Sequence, residues 1–263
     1  MLKPSITDLR SLVERRWHGT VARVGAALLP GIPTGDAGLD AALGDHGIPR
    51  GKLTELFGAP SSGKTTLAFA MLAACTRAGD IAAFVDLPHA FFAPAAAAAG
   101  IDLLRLLVVQ PPNAASARQA VDALVRGGAC ALVALDCAER RDVLRAHHCT
   151  RLAAQAEKTG TAFVVVSEGD SAAVASFASV RLRAEGLAPS WQTGSAGSGR
   201  LAGCTVSVAV AKSRTAAPGK RVRVAAFVPD VAGTFFAEPA ELPPAPFHLD
   251  ETDGRHDRSF VTA

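Results

Sequence analysis

The run Gly58-Ala-Pro-Ser-Ser-Gly63-Lys64-Thr65 places two glycines around four residues and follows them with a lysine and a hydroxyl. That combination suits a polyphosphate. Gly58 and Gly63 let the chain wrap so that backbone N–H groups and a helix N-terminus face the anion. Lys64 neutralises β/γ oxygens, and the Thr65 hydroxyl is a ligand for Mg²⁺. The expected nucleotide-binding residues are Gly58, Ala59, Pro60, Ser61, Ser62, Gly63, Lys64, Thr65 and Thr66. Asp136 closes the apolar run Ala131–Leu135 and is the expected second Mg²⁺ residue, acting through water at the C-terminal end of a strand. The same motif also serves as a structural turn, so it speaks for a fold more directly than for turnover of ATP.

These residues need elements to hold them. Leu53–Phe57 reads as an apolar strand stopping at the glycine-rich loop, with a helix from Thr66 onward. Compact runs at Ile81–Val85, Leu106–Val109, Ala131–Leu135 and Ala162–Val166 alternate with helical patterns that begin after Gly63, near Ala114 and near Glu139. Such apolar runs between helices are strands of a parallel sheet buried on both faces. The predicted fold is therefore α/β, a mostly parallel central sheet flanked by helices. After Ser167, the stretches Val180–Arg183, Cys204–Ala211 and Arg221–Phe227 come without intervening helices and predict appended C-terminal antiparallel strands. Gly186–Arg200, rich in Gly, Ser and Ala, predicts a loop. Residues 1–23 read as an N-terminal helix, an oligomerisation or partner segment in which Ile6, Leu9, Leu12, Val13 and Trp17 recur at helical spacing, and 238–263 read as an extended tail.

The chain has 263 residues, 49% of them hydrophobic and 19% charged, with a formal net charge of +3. This composition excludes disorder throughout and permits nucleic acid without demanding it. Cys75, Cys130, Cys137, Cys149 and Cys204 form no CxxC pair and read as reduced packing thiols. With neither an apolar leader nor a run long enough for a membrane span, the expectation is a cytoplasmic protein with no membrane partner.

Leu39-Asp-Ala-Ala-Leu43, Gly47-Ile-Pro-Arg-Gly51-Lys and Gly58–Leu67 resemble the opening of the bacterial recombinase family RecA. The likeness continues through Ala83–Asp86, Leu107–Pro111, Phe177–Leu182 and Lys212–Lys220. It runs over roughly residues 24 to 229 and implies a RecA-like core over 24–237, using ATP and Mg²⁺. In the family, a glutamate that activates the attacking water follows the strand resembling Ala83–Asp86; the matching residue here is Pro88, beside His89. A proline accepts no proton, which implies weak or absent hydrolysis. The residues matching those against adenine are Phe92 and Ala95, and Glu168 matches the glutamine that senses the γ-phosphate. Glu168 is read either as a displaced general base, the one catalytic candidate, or as a solvated loop residue.

The family grips single-stranded DNA with two loops. The second is reduced here to Glu168–Ser176, EGDSAAVAS, with two acids and neither a basic nor an aromatic residue, so it offers no groove or stacking face. The resemblance also implies an interface role for Lys212 and Arg214, which match a pair that reaches a neighbour's ATP; their other reading is an exposed β-edge kept soluble by charge. Arg140, Arg141, Arg145, His147 and His148 read as a solvated helix face, with a DNA or protein contact as the other reading. The kept phosphate loop, lost glutamate and reduced DNA loops resemble the ImuA family of RecA-related accessory proteins. That resemblance implies a place in mutagenic translesion synthesis and the SOS response. The implied partners are RecA, an ImuB-type protein and an error-prone polymerase complex, with DNA met weakly or indirectly. The alternative is an active DNA-dependent ATPase of the RecA/RadA recombination type.

Overall fold

A computed structural model describes residues 30–44, 47–137, 140, 143–193, 199–214 and 216–227, the side chains of 191–202 and 226–227 excepted. The chain divides into two units, Met1–Pro229 and Asp230–Ala263. The second unit lies outside the described residues, as do the N-terminal helix expected over 1–23, the tail over 238–263 and Arg141.

The element order is α1 (Ala37–Ala42), β1 (Leu53–Gly58), α2 (Lys64–Arg77), β2 (Ala82–Asp86), α3 (Ala93–Ala98) and β3 (Leu106–Val109). It continues with α4 (Ala114–Gly127), β4 (Leu132–Asp136), α5 (Ala146–Thr159), β5 (Ala162–Glu168) and α6 (Ala172–Phe177), and closes with β6 (Val180–Thr193), β7 (Gly199–Ser213) and β8 (Arg221–Phe227). One eight-stranded sheet has the order β3-β2-β4-β5-β1-β6-β7-β8. Its strands are parallel from β3 through β6 and antiparallel across β6-β7-β8. The α/β architecture with appended antiparallel strands is thus as expected.

Every residue of β1, β2 and β4 is buried, as a parallel sheet covered on both faces requires. One face packs Leu56, Phe84, Val164, Leu182 and Val208 against α1 and α2; the other packs Val85, Val133, Phe163 and Val165 against α4, α5 and α6. Local chemistry sets the helix ends. The Asn113 side chain accepts from the Ser116 N–H at 2.9 Å and Gly128 closes α4 in the left-handed region at φ 66°, an Asn cap and a glycine stop.

Four expectations are corrected. The helix placed near Glu139 begins at Ala146, because Val143 and Leu144 are buried in the lead-in rather than on a helix face. Val180–Arg183 is not purely antiparallel: its other edge pairs parallel with β1, with Thr54 opposite Val180. The segment Glu168–Ser176 is not one loop: its first residue ends β5, a three-residue turn follows, and the rest enters α6, whose N-cap is the Ser171 side chain. Gly186–Arg200 is mostly strand, since β6 runs to Thr193 and β7 starts at Gly199. Main-chain hydrogen bonds between two arms do not depend on side-chain type. Register shifts at Ala184/Gly186 and Ser190/Trp191 break the period of two by which a strand is recognised.

Candidate functional site

The phosphate loop grows out of packing as much as out of chemistry. A Cβ on Gly58 would lie 2.3 Å from the Ala184 carbonyl oxygen of β6, and Gly63, at φ 94°, would place one 2.6 Å from a Val206 methyl of β7. Both glycines are therefore demanded by the strands behind the loop, and Gly63 also by its left-handed backbone. Lys64 is buried as the first residue of α2, and its Nζ donates to the carbonyls of Gly58 at 3.0 Å and Ala59 at 2.5 Å. Burial lowers its pKa, opposed by the charges of Glu168 and Asp136.

Several features fit an anion. The first turn of α2 holds no acid. The Ser62 hydroxyl is buried without a hydrogen-bond partner, and Thr65 and Thr66 are exposed at the start of the helix. Ala59, Pro60 and Ser61 form the exposed crest of the loop, Ser61 at φ 56°. Asp136 is nearly buried at the C-terminal end of β4, two strands from β1. Among the described residues, no group of three or more His, Cys, Asp or Glu could hold a metal. A divalent ion near Thr65 and Asp136 would thus need phosphate oxygens and water as its remaining ligands, the usual situation for Mg²⁺.

Glu168 pairs in register with Gly58 across β5 and β1, so the backbone brings it beside the start of the loop, where its charge reaches Lys64. The turn after β2 is latched differently. The buried Asp86 carboxylate accepts from the N–H groups of Ala90 at 3.0 Å and Phe91 at 2.8 Å and from Gln110 Nε2 at 2.9 Å. His89, at φ 58°, bonds through Nε2 to the Pro111 carbonyl at 2.9 Å. Pro88 stands exposed at the crest of this turn. Phe92 and Ala95 are also exposed, whereas Phe91 packs against Phe69 and Phe84.

A third cluster escaped sequence reasoning. Glu55, fully buried in the middle of β1, receives Arg181 Nε of β6 on Oε2 at 2.5 Å, and Arg181 also pairs with Asp170 in the turn after β5. The guanidinium lies 4.5 Å from the centre of the Phe57 ring, a cation–π contact. Glu55 Oε1 has no hydrogen-bond partner, and burial pushes its pKa up against the opposing pull of Arg181. The signal was available: one carboxylate inside the otherwise apolar Leu53-Thr-Glu-Leu-Phe57.

Lys212 is half-buried, and its Nζ donates to the Ala175 carbonyl of α6 at 3.0 Å; burial and then the neighbouring Arg214 and Arg181 lower its pKa. Arg214 is exposed, its N–H held by the Ser179 carbonyl at 3.2 Å. Of the pair, Arg214 alone therefore faces outward. Arg140, Arg145 and His147 are exposed. The pKa of His148 is lowered by burial and by His147, Arg118, Arg151 and Arg145. The five cysteines are free, four of them buried, and burial raises the Cys75 and Cys130 thiols to about 12, which suppresses thiolate chemistry.

Known proteins bear on this geometry. Residues 11–141 match the RecA N-terminal domain. RecA of Leifsonia xyli subsp. xyli is 41% identical over 137 residues, 51% of this chain and 38% of that protein. RecA of Clavibacter michiganensis subsp. michiganensis is 46% identical over 133 residues, 49% and 37% respectively. RecA of Thermus aquaticus is 41% identical over 138 residues, 51% and 41%. The chain thus spans about two-fifths of the length of the relatives it matches. The crystal structure of the RadB recombinase superposes with a TM-score of 0.57 at 20% identity, covering 73% of this chain and 94% of that one; that likeness concerns the fold. The likeness in sequence is thus to RecA over residues 11–141, and the likeness in structure is one of fold. No described helix is long and apolar enough to cross a membrane.

Proposed function

We propose that this chain, RecA-like in its matched half and in its fold, is a nucleotide-binding adaptor of DNA damage tolerance with weak or absent ATP hydrolysis, working in the manner of the ImuA family. The observation that carries the reading is the turn after β2. Pro88 stands at its crest and the one carboxylate of the turn, Asp86, is committed to Ala90, Phe91 and Gln110. A carboxylate general base needs a free oxygen within hydrogen-bond reach of the attacking water, and this turn offers no carboxylate beyond the one already engaged.

The phosphate loop supports binding all the same. Lys64 would exchange the carbonyls of Gly58 and Ala59 for phosphate oxygens, the α2 N-terminus and the Ser62 hydroxyl would complete the cradle, and Thr65 with Asp136 would hold Mg²⁺. Nucleotide would then be held without being consumed rapidly. The partners in this reading are RecA, an ImuB-type protein and an error-prone polymerase complex acting in translesion synthesis and SOS mutagenesis, with DNA contacted weakly or through them. Arg214, exposed beside Lys212, is the side chain best placed for a RecA neighbour.

A second reading, a DNA-dependent ATPase of the RecA/RadA type, draws on the register of Glu168 with Gly58. ATP binding by calorimetry decides between them, with hydrolysis followed with and without single-stranded DNA and Lys64→Ala as control. Binding with feeble turnover is expected. Vigorous DNA-stimulated turnover lost in Lys64→Ala overturns the adaptor reading. The interface is tested by the affinity for RecA of a variant carrying Lys212→Ala and Arg214→Ala; unchanged affinity removes the pair from it.

A further inference from the structure

The antiparallel end of the sheet has one face in the core and one in solvent. Leu182, Ala184, Val206, Val208, Val210 and Val224 line the buried face. On the other face, Arg183, Ala209 and Arg221 lie opposite one another across β6, β7 and β8. The next row is Gly186, Ser207 and Arg223, and the next is Ala188, Thr205 and Ala225. The three arginines, Ala188 and Ala225 are exposed, and Thr205, Ser207 and Ala209 are half-buried. The result is a low platform of small side chains from which three guanidinium groups project. Arg221 is paired, its Nε donating to Glu185 at 3.1 Å. Arg183 and Arg223 carry no ion pair among the described residues.

Among the described residues β8 is also the last strand of the sheet. The bond from the Val210 N–H to the Lys220 carbonyl, 2.9 Å, sets the alternation of this ladder. Val222 and Val224 turn their N–H and C=O groups toward β7, and Arg221, Arg223 and Ala225 turn theirs toward the open edge. Arg221 and Arg223 therefore each present an outward main-chain pair and a cationic side chain together.

We infer that the open edge of β8 receives an extended acidic segment of a partner protein as an added strand, with carboxylates at alternate positions meeting Arg221, Arg223 and, across the platform, Arg183. Charge complementarity selects the occupant. Arg221 and Arg223 are about 7 Å apart along the strand, the spacing of alternate side chains in an added strand, and a guanidinium fork suits a carboxylate better than a point charge does. Cations on an edge strand also deter unwanted pairing. That role asks only for charge at the edge, whereas here all three groups are arginine and Arg183 lies two strands inward. No aromatic residue stands in the three rows, so the platform lacks the stacking faces on which single-stranded nucleic acid depends.

The inference rests on the adaptor reading for its partner, but its test reads peptide binding and not ATP turnover, so either can fail alone. The probe is a labelled peptide of alternating Glu and Val, compared by fluorescence anisotropy with an alternating Lys and Val peptide and with oligo-dT. The Glu peptide is expected to bind the full chain. Arg221→Ala with Arg223→Ala should weaken it on the order of tenfold with an unchanged thermal melt. Ala225→Pro, tolerated at an edge N–H that faces outward, should weaken it about fivefold, since each main-chain bond contributes modestly. Slower amide exchange at Arg221, Arg223 and Ala225 on adding the peptide supports strand addition without any substitution. Failure of the Glu peptide to bind, undiminished binding to the double variant, unchanged exchange at those amides, or preference for oligo-dT on the same arginines overturns the inference.

Discussion

The turn after β1 and the turn after β2 leave the same edge of one sheet, yet they are built by opposite means. The first is shaped by the main chain. Glycines accommodate β6 and β7 behind it, and even Lys64 spends its ammonium on two carbonyls of its own loop. The second is shaped by one side chain, the Asp86 carboxylate that gathers two N–H groups and Gln110. A site made of backbone survives most substitutions around it, whereas a catalytic role that rests on a single side chain disappears with that side chain. On the adaptor reading, this is how a phosphate cradle would persist beside a turn bearing Pro88.

The contrast can be broken most forcefully at the latch. Asp86→Ala leaves donors without their charged acceptor and should destabilise the fold by about 3 kcal/mol, read by urea denaturation, while ATP affinity, measured by calorimetry, changes by less than about threefold. A large loss of affinity would show that the two turns are not independent. Lys64→Ala should do the reverse, lowering ATP affinity on the order of a hundredfold, or about 2.7 kcal/mol.

Pro88→Glu tests the missing acceptor directly, with turnover expected to rise on the order of a hundredfold, the low end for general-base catalysis; phosphate release measures it, and no rise places the deficit elsewhere. Gly63→Ala should cost about 2 kcal/mol through its left-handed backbone and the clash with Val206. Combining it with Val206→Ala should show positive coupling in a double-mutant cycle.

The smallest effect concerns pH. Because burial raises the pKa of Glu55 in the folded chain, its contribution to stability is fully present below the ordinary carboxylate pKa and is lost as pH rises through the raised value. The thermal advantage of wild type over Glu55→Gln should therefore be greater near about pH 4 than near about pH 7.

Much of this was legible in the chain. The buried runs of β1, β2, β4 and β5 announced themselves because strands covered on both faces have no polar side to interrupt them. Gly58–Thr66 announced the loop because its chemistry is local in sequence. The β6-β7 ribbon was not legible, since its bulges scramble alternation and its Gly, Ser and Ala content imitates a loop. α6 hid because five of its six residues lie in the nine-residue stretch Glu168–Ser176, with one side-chain cap, Ser171, to mark it. The Glu55–Arg181–Asp170 cluster joins residues 126 positions apart, and no window of sequence contains both ends.

By itself, then, the sequence determined the glycine-lysine loop and the parallel sheet that carries it, because each is written in contiguous residues whose chemistry does not depend on distant neighbours. Only the tertiary structure decided that Lys212 turns inward to α6 while Arg214 faces out, that Glu168 lies beside Gly58, and that three arginines from two strands share one bare face. Strand order and register set those distances, and both are fixed by burying the two faces of the sheet as a whole.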